Sequence, residues 1–190
     1  MSQSLQGHFL VSAGHLRDPN FYRSVVLMLE HNDESAMGLI INRPSSLAVD
    51  AALSELGATS AGSDPIFTGG PVETTALFIL HSCRDLAGKD EEVVPGLYVT
   101  GSNESFESLV ANREGVSCEH DCGFRIYCGY SGWGPGQLEG EIERGDWLIL
   151  PAEAAIAFAD DPYNIWELCV QKIHEANRIL PHSVMNPDWN

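Results

Sequence analysis

Between residues 24 and 42 the chain passes twice through apolar, β-branched sequence, SVVLMLEH and AMGLIIN, with only the polar Asn32-Asp33-Glu34-Ser35 between the two passes. Each run has the character of a buried strand, and the short polar link closes the pair as an antiparallel hairpin. Pro44 ends the second strand, since proline has no N–H to give to a ladder. A first strand over residues 8–13 precedes the hairpin. Further strands are expected over residues 76–81, 97–100, 124–130 and 147–150. Helical spacing enters between them: Val49, Leu53 and Leu56 on a helix over 47–56 that Gly57 closes, a helix capped by Asn103 and running to about Val110, one over 135–143, and one opened by Asp161-Pro162. Hairpins first and helices later make an α+β domain with a largely antiparallel sheet, not a βαβ repeat.

At 190 residues the chain fits one domain spanning 1–190, with an irregular tail from about residue 181. Ten Lys and Arg against 27 Asp and Glu give a net charge of −17. Such a surface opposes phosphate neutralisation, so direct nucleic-acid binding is not expected, nor is binding to an anionic membrane. The first residues carry no basic n-region and no apolar h-region, so the expectation is a protein without a secretory signal, resident in the cytoplasm.

The densest motif is the segment GYSGWGPGQLE at 129–139, with glycines at 129, 132, 134 and 136. It reads as a loop leaving a strand and opening a helix, with Pro135 in the first helical turn. Three chemistries are tested by its spacing. A nucleophile elbow around Ser131 requires glycine at 133, where Trp133 stands. A dinucleotide fingerprint starting at Gly132 and Gly134 meets Gln137 in place of its third glycine, and no lysine is near for a phosphate loop. Anion binding by N–H groups at the helix start needs no motif and stays open. So does the plainer reading, a tight strand-to-helix connection with Trp133 buried.

Three other clusters carry chemistry. Cys118-Glu119-His120-Asp121-Cys122, with Cys128 beyond, offers thiolate and imidazole ligands for zinc, or a reversible disulfide, but lacks a second ligand pair. The alternative is a solvated loop. His31, in an acidic hairpin tip with Glu30, Asp33 and Glu34, is able to serve acid–base work if buried. His31 and Asn42 also read as buried hydrogen-bonding residues. Arg17, Arg23 and Arg43 gather scarce positive charge around the hairpin, to hold an anion or to pair with a carboxylate such as Glu30.

Read together, DPNFYRSVV at 18–26, EHN at 30–32, AMGLIINRP at 36–44, FTGGPV at 67–72, the glycine run and DWL at 146–148 resemble the AlgH/YqgE family in order and across residues 7–166. The resemblance implies an α+β fold whose bifurcated sheet curls into a pseudo-barrel with flanking helices. It brings the label of a transcriptional regulator for one branch and no catalytic residue. Cys118, Cys122, Cys128 and the C-terminal tail depart from the family pattern.

The expected function is therefore a non-enzymatic regulatory or binding domain for a protein or small-molecule partner, with no cofactor. Its candidate site is Arg23, His31, Asn42, Arg43, Gly69, Gly70, Gly129, Ser131, Gly132, Trp133, Gly134 and Gln137. The alternatives are an enzyme built at the glycine-rich loop, and a redox or metal role for Cys118, His120 and Cys122.

Overall fold

The computed structural model describes residues 4–48, 65–82, 84, 91–101 and 123–179. In chain order its strands are β1 (His8–Ser12), β2 (Val25–His31), β3 (Ala36–Ile40), β4 (Pro44–Ala48), β5 (Pro65–Thr68), β6 (Val72–His81), β7 (Glu91–Val94), β8 (Leu97–Thr100), β9 (Phe124–Trp133) and β10 (Trp147–Pro151). The helices are α1 (Gln137–Glu143), α2 (Ala154–Ala157) and α3 (Ile165–Ile179), the last entered through a 3-10 turn over Pro162–Asn164.

The main strand order is β10-β1-β2-β3-β9-β6-β8-β7, antiparallel throughout. β9 is where the sheet divides. β6 pairs along one edge, from Val72 opposite Tyr130 to His81 opposite Phe124. The other edge is shared: β3 takes its end, residues 131–133, and β5 takes Tyr127 and Cys128 in the one parallel pairing among the described strands. The α+β class, the antiparallel sheet and the bifurcation expected from the sequence are all present, and the sheet curls into a half-barrel.

The curl has two apolar faces because the central strands alternate between them. In β2, Val25, Leu27 and Leu29 enter an inner core with Leu39, Phe67, Leu80, Val99 and Tyr127, against which Ile156 of α2 and Ile165 and Cys169 of α3 pack. Val26 and Met28 face the other way, into a second core with Trp133, Trp147 and Leu138 of α1. A bulge at Leu29 lets Glu30 pair with Met37.

Several local expectations change. Pro44 begins β4 instead of closing β3; among the described strands β4 pairs only with β5, an edge position where a missing N–H is tolerated. Leu47 and Ala48 end that strand and not a helix, while residues 49–57 lie outside the described residues. The helix at 103–110, the cysteine-bearing loop at 114–121 and the tail from 181 lie outside them as well. β9 extends through Trp133, so the first half of the glycine run is strand, not loop. Pro135 precedes α1 rather than entering it, because Gly136, left-handed at φ 71°, forms the cap between them. Asp161 caps as expected, its side chain accepting from the Tyr163 N–H. β7 was not anticipated; its turn into β8 is Pro95-Gly96 with Gly96 at φ 77°, the pairing a type II turn requires.

Candidate functional site

The glycine motifs meet at a backbone crossing. β5 and β6 flank β9 on opposite edges, so the link Gly69-Gly70-Pro71 must pass over β9 to join them. A Cβ on Gly69 would lie 2.2 Å from the Gly129 carbonyl oxygen, and one on Gly70 would lie 2.2 Å from that of Tyr130. Gly129, at φ 70°, meets the Gly70 oxygen in return, 2.7 Å from where its own Cβ would be. No side chain fits between two main chains this close. The Gly69 N–H donates to the Cys128 oxygen at 2.8 Å, and the Ile40 N–H donates to the Gly69 oxygen at 2.8 Å. Fully buried Ser131 adds its hydroxyl, donating to the same Gly69 oxygen at 3.2 Å. Ser131 is thus a strand residue that fastens the crossing.

The rest of the run serves α1. Gly132 pairs with Met37. Trp133 is buried and donates its indole N–H to Glu141 Oε2 at 2.9 Å, and Trp147 donates to the same oxygen at 2.8 Å. Gln137 donates to Glu141 Oε1 at 3.1 Å and accepts from the Gly134 N–H at 3.2 Å. Phe21 stacks on Trp133 and meets Trp147 edge-on. One helical carboxylate therefore organises two indoles and the turn before the helix. Sequence reasoning missed Glu141. Its signal was the pair of flanking tryptophans, each with an N–H that needs an acceptor when buried.

His31 reaches the same helix from β2. Its side chain is 4% exposed; Nε2 lies 3.0 Å from Glu139 Oε1, and Nδ1 lies 3.1 Å from the Leu5 N–H. Because Nδ1 accepts from a backbone donor, the proton of the neutral ring sits on Nε2 and is given to Glu139. Both nitrogens are engaged, tying the segment before β1 to α1.

Arg23, Asn42 and Arg43 form a third group. Asn42 accepts from the Val25 N–H and donates to the Arg23 oxygen, each at 2.9 Å, holding Arg23 at φ 50°. Arg23 stacks over Trp166 at 4.9 Å and pairs with Glu167 at 3.2 Å, an exposed pair of small energetic weight. Arg43 donates to the backbone oxygens of Pro19 and Tyr22. Burial lowers its pKa, with Asp18 opposing. The expected partner Glu30 is engaged elsewhere, accepting from Asn32 at 2.7 Å.

The twelve proposed residues are thus distributed among the crossing, the entry to α1 and the Asn42 bracket. Cys118, His120 and Cys122 lie outside the described residues, and among those described no group of three or more metal-ligating side chains occurs. Cys128 is a free, half-buried thiol in β9 whose pKa burial raises.

A groove of about 390 Å³ opens elsewhere, where the two limbs of the half-barrel approach. Leu29, Met37, Phe78 and Val99 from four strands make its apolar lining, and Glu30 and Glu91 stand on it. Gln6 closes one wall by donating to Glu91 at 2.8 Å. Apart from Glu30, the groove is invisible in the sequence, since its residues are far apart along the chain.

The chain and its fold have counterparts among known proteins. The profile of the AlgH-like family, DUF179, matches residues 9–177. This chain belongs to the AlgH-like family. A UPF0301 protein of Thioalkalivibrio sulfidiphilus is 35% identical over 175 residues, covering 90% of this chain and 91% of its own. One from Mycobacterium tuberculosis is 39% identical over 160 residues, covering 84% and 78%. The solution structure of the AlgH protein from Pseudomonas aeruginosa superposes with a TM-score of 0.71 at 32% identity, covering 100% of this chain and 99% of that one. Protein DIP2367 from Corynebacterium diphtheriae shares the fold, with a TM-score of 0.69 at 23% identity over 96% and 90% of the two chains. AlgH-like membership expected from the motifs is thereby shown.

Proposed function

We propose that this AlgH-like protein is a non-enzymatic, cytoplasmic binding domain that seats a small-molecule or protein partner in the groove between the limbs of its half-barrel. The observation that carries this reading is a contrast in occupancy. The Ser131 hydroxyl, both His31 nitrogens and the Arg43 guanidinium are committed to hydrogen bonds within the fold. The groove, at about 390 Å³, has the size of a ligand site and presents apolar and polar groups side by side. A regulatory role acts through that partner and not through DNA, because a charge of −17 repels the phosphate backbone.

An NMR screen of metabolite-sized fragments tests the proposal. Hits should shift the amides of Leu29, Met37 and Val99, and Met37→Trp, which fills the groove, should abolish them. Hits that move residues 129–137 or Arg23 instead, or salt-sensitive binding to a specific DNA duplex, would overturn the assignment. Conversion of a hit to product would overturn its non-enzymatic part.

A further inference from the structure

We infer that the groove selects a small organic cation, an amine or guanidinium carried on an apolar body. The inference rests on the groove being a binding site, and it adds the ligand's charge. Its lining has two kinds of surface. Leu29, Met37, Phe78 and Val99 supply apolar area contributed by β2, β3, β6 and β8. Among the described residues that line it, the charged groups are the carboxylates of Glu30 and Glu91, and none is basic. In each carboxylate one oxygen is engaged, Glu30 Oε1 by Asn32 and Glu91 Oε1 by Gln6. Among the described residues, none donates to the second oxygen of either carboxylate.

Two half-used carboxylates beside an apolar floor match a molecule that is cationic at one end and apolar at the other. An anion meets repulsion from both. A neutral molecule of the same shape gains only the apolar term. The net charge of −17 raises the local concentration of cations in general, so specificity has to be read at the groove itself. Exposed carboxylates screened by water add little each, so removing one should weaken binding by up to about five-fold. Gln6 bonds to one of these carboxylates, so a cation reaching Glu91 competes with the Gln6 amide.

Three probes of one shape separate charge from apolar contact: phenethylamine, 2-phenylethanol and 3-phenylpropionate, each titrated into the full chain and followed by amide chemical shifts. Phenethylamine should shift Leu29, Met37, Phe78 and Val99 and bind about five-fold or more tighter than the alcohol, with the acid weakest. Glu30→Gln with Glu91→Gln should bring the amine to the level of the alcohol. Glu143→Gln, which removes the same charge at the exposed end of α1 on the other face of the sheet, should leave the affinity unchanged. If the alcohol binds as tightly as the amine, or Glu143→Gln weakens binding as much as the groove variants, the cation inference falls while the groove remains a binding site. If none of the three probes shifts the groove at millimolar concentration, both readings fall.

Discussion

At the start of the glycine run backbone meets backbone: a Cβ on Gly70 would lie 2.2 Å from the Tyr130 oxygen, and one on Gly129 2.7 Å from the Gly70 oxygen. Five residues on, a Cβ on Gly134 or on Gly136 would meet nothing within 4 Å. The two ends share a composition and differ in cause. The first excludes side chains because one strand link is laid across another strand. The second turns the chain into α1, where Gly136 needs only its left-handed φ and Gly134 needs nothing. Glycine density therefore marks two separate structural tasks, and neither is a cradle for phosphate or a nucleophile.

The sharpest way to break this comparison is Gly70→Ala. It forces the crossing apart and should lower the free energy of unfolding by about 3 kcal/mol or more, or prevent folding, in urea denaturation. Glu141→Leu comes next. It leaves the Trp133 and Trp147 indoles without their shared acceptor and should cost about 1–3 kcal/mol, with a change in tryptophan fluorescence that reports the cluster directly. Ser131→Ala removes one hydroxyl from the Gly69 oxygen, which keeps its bond from Ile40, so about 1 kcal/mol is expected. Gly134→Ala should change stability by less than about 0.5 kcal/mol. A large loss there would erase the distinction between the two ends.

Cys169 offers a reporter for the same series. It is fully buried in the inner core, and burial pushes its thiol up to about 12, with Lys172 pulling down and Glu153 adding to the rise. A folded pKa above the unfolded one means the folded state holds the proton more tightly. That contribution is intact below the unfolded value of 9.0 and declines as pH rises from there toward 12. At pH 8, reaction of this thiol with a disulfide reagent should require unfolding. Gly70→Ala should accelerate it, and Gly134→Ala should not.

Much of this fold is legible in the sequence because it is local. The β2–β3 hairpin follows from two apolar runs and a polar link, and Asp161-Pro162 announces the turn into α3. The crossing is not legible, because its partners lie about sixty residues apart; Gly69-Gly70 and Gly129 each look like ordinary turn glycines alone. Pro44 misleads for a related reason. It forbids a central strand but not an edge strand, and only the pairing of β4 with β5 shows which applies. Of the proposed site residues, the sequence picked out those with unusual side chains or backbone. It could not show that their hydrogen bonds are spent internally, nor that unremarked residues such as Met37 and Phe78 line the groove.

The central claim is that the Gly69–Gly70 link is a locked crossing, and native-state hydrogen exchange tests it most directly. The Gly69 and Ile40 amides, each bonded at 2.8 Å within the crossing, should exchange only with global unfolding. The Gly134 amide, bonded at 3.2 Å to the exposed Gln137 side chain, should exchange through small local openings. Gly69 exchanging as readily as Gly134 would contradict the account and restore the glycine motifs as a mobile loop.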